Sequence, residues 1–198
     1  MPTPVGSFRT LTASEILVLQ RIFGGAINYS AVKIHNKKWV SWRPDNVTMT
    51  PNGEIYFNKQ SFLEDYVAAN THADIVYHFI HEMVHVWQYQ LGFPVKTQGF
   101  ASAFKSGYNY TLKPDSKLSN YPMEAQANII ADWAMYLMYG MAKHYSGDQY
   151  GKTTPYTLTE LQAVLVDFIA EPKNKKNLPI IKDPRCEAEP ASVSCLGH

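Results

Sequence analysis

An α+β fold is predicted for this chain: a small antiparallel sheet or hairpin near the N-terminus, followed mostly by helices. Short β-type runs are confined to residues 31–57, helical patterns lie on both sides of them, and no repeat or Gly/Ser linker divides the 198 residues. That length predicts one domain, 1–198, large enough to bury a core without disulfides. A composition of 45% hydrophobic and 18% charged residues argues for a packed interior and against disorder.

The first helix is expected over Ala13–Phe23. Thr12 and Glu15 form a capping box, Ile16, Leu19, Ile22 and Phe23 supply an apolar face, and Gly24-Gly25 ends it. β-type runs follow at Ala31–His35, Trp39–Trp42 and Val47–Thr50, and Pro51-Asn52-Gly53 leads from the last into Glu54–Phe57 as a hairpin signal. A second helix is read over Ala73–Gln90, closed by Gly92 and Pro94. Residues 93–119 read as irregular, with Tyr108 and Tyr110 inside a polar loop. Asn120 can cap a third helix that has Pro122 near its first turn and runs to about His144. Thr157 and Glu160 form a further capping box for a helix ending near Ala170, and a surface tail rich in Pro and Lys is expected over 171–198.

Eighteen basic side chains against 17 acidic ones leave a formal charge of +1, which argues against a protein that grips nucleic acid through its phosphates. No apolar run reaches the ~20 residues that cross a bilayer. The start, MPTPVGSFRT, has neither the basic nor the apolar region of a Sec-type signal, so no such signal is expected. Two cysteines, Cys186 and Cys195, are too few for a disulfide scaffold.

The informative string is His81-Glu82-Met83-Val84-His85, an H-E-x-x-H inside a helical pattern. Histidines four apart stand one above the other on a helix face, with Cβ atoms about 5–6 Å apart, so both imidazoles reach one Zn2+. Glu82 beside them is free to act as a base toward water instead of ligating. A plain helix that happens to carry these residues is the competing reading.

A catalytic zinc needs a third protein ligand. The metzincin extension would put Gly at 88 and His at 91, where this chain has Gln88 and Leu91, so that class is excluded. Glu124 is the better candidate, since two-histidine, one-glutamate sites draw their glutamate from a later helix. The alternative for Glu124 is an acid favoured near a helix N-terminus. Asn128 stands where an orienting Asp is frequent and can accept an imidazole N–H without bringing charge. Asp132 is another carboxylate that could take the third place. His78 lies about 10 Å from position 85 along a helix and cannot share its metal, so it reads as a histidine with a neighbouring partner. Tyr108 and Tyr110 are either oxyanion donors or packing residues. Val47–Phe57 could present a strand edge to an extended peptide.

Leu11-Thr12-x-x-Glu15, Thr50-Pro51-Asn52-Gly53-x-Ile55-Tyr56-Phe57, H-E-M-x-H-V-W-Q from His81 to Gln88, and Glu124-x-Gln126-Ala127 together resemble the Rhs/Vgr-related zinc metallopeptidases of type VI secretion. One branch of that family forms the toxic C-terminal extension of a VgrG spike. The resemblance covers residues 10–135 and implies that His81, His85 and Glu124 ligate one Zn2+ and that Glu82 is the catalytic base. It implies an antibacterial effector delivered to the periplasm of a target cell, with a protein or peptide substrate, a VgrG spike and an immunity protein as partners. Cys186 and Cys195 would there either close a short loop or stay as free thiols.

A gluzincin-like minimal zinc metallopeptidase is therefore expected. Two rivals use the same residues: a catalytically inactive zinc-binding adaptor docking to a secretion spike, and a zinc amidase acting on cell-wall peptide.

Overall fold

The computed structural model describes residues 2–40, 47–102, 109–140 and 156–181, with the backbone alone at 100–102. Strand β1 (Phe8–Thr10) precedes helix α1 (Ala13–Phe23), and strands β2 (Lys33–Asn36) and β3 (Ile55–Phe57) follow. Helices α2 (Ala73–Gln90), α3 (Val95–Ser102), α4 (Met123–Tyr139) and α5 (Leu158–Ala170) complete the α+β architecture.

The capping box of α1 forms as its sequence predicts: Thr12 Oγ1 accepts from the Glu15 backbone, and the Glu15 carboxylate accepts from Thr12 N at 2.9 Å. Glu15 is nevertheless fully buried. Arg9 of β1 donates to it twice, at 2.7 and 2.8 Å, and Tyr66 N adds a third bond at 2.9 Å. A helix cap thus also fastens the first strand and the loop before α2.

The sheet has the order β1-β2-β3. β1 and β2 are antiparallel, with Phe8 opposite His35, but β2 and β3 are parallel, with Ile34 opposite Ile55. The expected hairpin shrinks to a single antiparallel bridge between Met49 and Tyr56, closed by backbone bonds of 2.9 and 3.4 Å. The reason lies in β3 itself, where all three residues are buried. A strand covered on both faces belongs inside a layered packing and not at a solvated hairpin. Residues 29–31 form a 3-10 turn before β2, Trp39 and Val40 are not in a strand, and 41–42 lie outside the described residues.

α2 is the central helix; every residue from Phe79 to Gln88 is buried, as expected of a helix with neighbours on all sides. Its main partner is α4, which also carries α5. Phe168 of α5 makes edge-to-face contacts with Phe23, Trp87 and Trp133, joining it to α1, α2 and α4.

Two expectations need correction. α3 occupies part of the stretch read as irregular; it has no continuous apolar face and is seated by Phe93 and Val95 against Met123. Pro122, not Asn120, is the N-cap of α4, because the Asn120 side chain already accepts from Lys117 N in the preceding 3-10 turn. The helix closes on Gly140 in the left-handed conformation, and positions 141–144 lie outside the described residues. Residues 171–181 are largely exposed but are pinned to the helices at a few points. Pro172 O accepts from Trp87 Nε1 at 2.8 Å, Asn177 is buried, and Ile180 N donates to Ser119 O. Residues 182–198, with both cysteines, lie outside the described residues. Among the described residues, no helix is long and apolar enough to cross a membrane.

Candidate metal centre

One turn of α2 brings His81 and His85 onto the same face, with ring centroids 4.8 Å apart and nearly perpendicular planes. α4 meets that face with its second residue, Glu124, pointing its carboxylate at both rings. The His81 Nε2, His85 Nε2 and Glu124 Oε2 atoms form a triangle with three sides of 3.2 Å. A tetrahedral Zn2+ with ligand bonds of roughly 2.0–2.1 Å has ligand-to-ligand edges of about 3.3 Å, so the triangle has the size the ion requires. All three residues are buried, and together they form a group that could hold a metal ion. Glu124 is also an acid in the first turn of α4, where the helix dipole favours it.

The outer faces of the imidazoles fix where their protons sit. Asn128 Oδ1 lies 2.8 Å from His81 Nδ1, and Gln88 Oε1 lies 2.9 Å from His85 Nδ1. The orientation of Gln88 is set by its amide nitrogen, which donates to Met123 O at 3.2 Å and to Gln126 Oε1 at 3.1 Å. Both Nδ1 atoms are therefore donors, and both Nε2 atoms turn inward toward a carboxylate oxygen. Three lone pairs at such distances repel unless something positive lies among them. In the ion-free protein that role falls to a proton. Burial works against a charge on His85, but the adjoining Glu124 carboxylate outweighs it and raises its pKa to about 9. Burial likewise opposes charge on Glu124, yet the two imidazoles hold its carboxyl well below the usual carboxylate range. The donor set fits a divalent cation in place of that proton.

Glu82 does not join the triangle. Its Oε2 accepts from Thr50 Oγ1 at 2.5 Å, and its Oε1 lies 3.8 Å from His78 Nε2. His78 is instead engaged by Thr48 Oγ1 at 2.8 Å, which matches the reading of a histidine with its own partner. Asp132 stays away from the triangle: it is buried, Tyr110 OH donates to it, and burial pushes its pKa up to about 7. Tyr110 is thus a packing and hydrogen-bonding residue, while Tyr108 lies outside the described residues. The triangle and Glu82 line a cleft of about 110 Å3, walled by residues 47–51 and by Val95, Lys96 and Gly99 of α3.

Sequence reasoning brought together the residues that do meet here, but it missed Gln88 and Thr50. Gln88 was within reach, because it stands one turn after His85 on the same helix face. Nothing tied Thr50 to a glutamate 32 positions later.

Fold and site together define an α+β protein with a buried two-histidine, one-glutamate group able to take a metal ion. Over 131 residues, 63% of its length, the chain is 35% identical to the type VI secretion system spike protein VgrG2b of Pseudomonas aeruginosa, and the match spans 13% of that protein. Its fold matches the effector domain of Pseudomonas aeruginosa VgrG2b with a TM-score of 0.60 and 29% identity, covering 71% of this chain and 81% of that domain. No family model matches the chain. The chain is thus similar in sequence to a small part of VgrG2b, and its fold is like that of the VgrG2b effector domain.

Proposed function

We propose that this chain is a zinc metallopeptidase that serves as an antibacterial type VI effector, cleaving a protein or peptide in the periplasm of a target bacterium. The observation that carries the reading is the buried triangle of His81, His85 and Glu124 with Glu82 beside it, outside the triangle, in an open cleft. His81, His85 and Glu124 would hold the Zn2+. When bound, zinc would polarise a scissile carbonyl and bring the pKa of water near 7.

The remaining work belongs to the chain. Glu82 is the base that takes the proton of the attacking water and returns it to the leaving amine. Thr50 holds one carboxylate oxygen of Glu82, which fixes the direction of the other. Met49 commits its backbone N–H and C=O to Tyr56. By strand alternation the backbone groups of Thr48 and Thr50 would face away from β3, where they would offer an edge to an extended peptide. Among the described residues the metal-binding group has three donors, which suits a catalytic site better than a structural one closed by four.

The kinship with VgrG2b supports delivery by a contractile secretion machine, with a VgrG spike and an immunity protein as partners. The decisive experiment incubates the zinc-loaded protein with periplasmic proteins and, separately, with labelled peptidoglycan. Cleavage of proteins, lost in Glu82→Gln by a factor of about 10²–10⁴ at unchanged zinc content, supports the peptidase. Release of cell-wall peptide alone would make the enzyme an amidase. Full zinc occupancy with no hydrolysis of either substrate would favour the inactive adaptor.

A further inference from the structure

Behind the metal-binding face lies a second polar system that the proposed reaction does not use. Gln88 and Gln126 are fully buried between α2 and α4. Gln88 Oε1 faces His85 Nδ1, and Gln88 Nε2 donates to Gln126 Oε1. Gln126 Nε2 in turn donates to two backbone carbonyls, Leu118 O at 2.8 Å and Asn177 O at 3.0 Å. Each amide has its orientation dictated by the next, so the series has one consistent direction. Asn177 is itself held, since its Nδ2 donates to Glu171 O at 2.9 Å, and Trp87 Nε1 clasps Pro172 O one segment earlier.

We infer that Gln88 and Gln126 are positioning residues for the metal centre: a buried amide relay runs from the 171–181 segment to His85 and holds its imidazole in the tautomer that can ligate. The inference rests on the metal-centre reading above. Buried amides are costly unless every donor and acceptor is met. Here the cost yields a defined direction for one ring nitrogen, and partners that orient a ligating histidine affect metal affinity by about 10–100-fold. The relay also explains why the stretch after α5 folds back against α2 and α4.

The test is a chelator competition for Zn2+ on the full chain, comparing wild type with Gln88→Met, Gln126→Met and the double variant. Thermal unfolding of each metal-free protein serves as the control for folding. Both single variants should bind zinc about 10–100-fold more weakly. The double variant should bind no more weakly than Gln88→Met, because Gln126 acts through Gln88. In the metal-free protein well above pH 9, where the His85 ring is neutral, long-range 1H–15N spectra should show it protonated on Nδ1 in wild type and as a mixed tautomer in Gln88→Met. Unchanged zinc affinity in the single variants, or losses that add in the double variant, would overturn the relay. A wild-type protein that binds no divalent ion at all would overturn the metal centre itself, and is told apart from the first failure by that wild-type measurement alone.

Discussion

At the scale of single residues, the site depends on which nitrogen holds a proton. His85 is protonated near neutral pH in the ion-free protein, because its pKa is raised to about 9. A metal must displace that proton. Calorimetric titration with Zn2+ in buffers of different ionisation enthalpy should show close to one proton released at pH 7 and almost none well above pH 9. The same shift bears on stability. A histidine whose folded pKa exceeds the unfolded value of about 6.5 stabilises the ion-free fold fully below that pH, and the contribution is lost as pH rises through about 9. Thr50 sets a second residue-level expectation. Removing its bond to Glu82 in Thr50→Val should lower kcat roughly tenfold, the scale of a positioning partner, with little change in KM, and Thr50→Ser should restore it. The residues around His81 are legible because helical periodicity places 81 and 85 on one face, and likewise 124 and 128; Gln88 shares that period, but no motif marks it. Thr50 is not legible, since a contact between a loop and a helix follows from the path of the chain and leaves no periodic mark.

At the scale of elements, local chemistry was read well and pairing was not. The capping boxes at Thr12-Glu15 and Thr157-Glu160 both form, because such caps are decided within four residues. The parallel partner of β3 was invisible, since it sits 21 residues earlier, Ile34 against Ile55, and depends on burial of both sheet faces. Glu15 shows how a local signal can carry a distant load. Glu15→Ala should destabilise the fold by about 3 kcal/mol, more than loss of a cap, because it leaves the largely covered Arg9 side chain without its carboxylate; urea unfolding measures it. Gly53 gives a second element-level test. It has φ of +75°, and a Cβ there would meet the Tyr89 ring at 2.4 Å. Gly53→Ala should cost about 1–3 kcal/mol by the same assay and disturb the cleft wall that carries Thr50.

At the scale of the whole molecule, the donors of the candidate centre come from α2 and α4, the two helices with the most extensive mutual packing. Binding a cation there should therefore stabilise the entire fold. At free Zn2+ a hundredfold above Kd the gain is about 2.7 kcal/mol, seen as a rise in Tm that a chelator reverses and that His81→Ala abolishes. The α+β class was foreseeable from the segregation of β-type runs and helical patterns. The return of residues 171–181 onto the helices was not, because its anchors are backbone carbonyls, which have no sequence signature.

Phe168 has a practical corollary. Its ring is wedged edge-on against both Trp87 and Trp133 while also touching Phe23. Undocking of α5 would thus wet two indoles in one event, so the emission maximum of the unlabelled chain should shift to the red as soon as that helix leaves, giving an intrinsic optical gauge of whether the last helix is home.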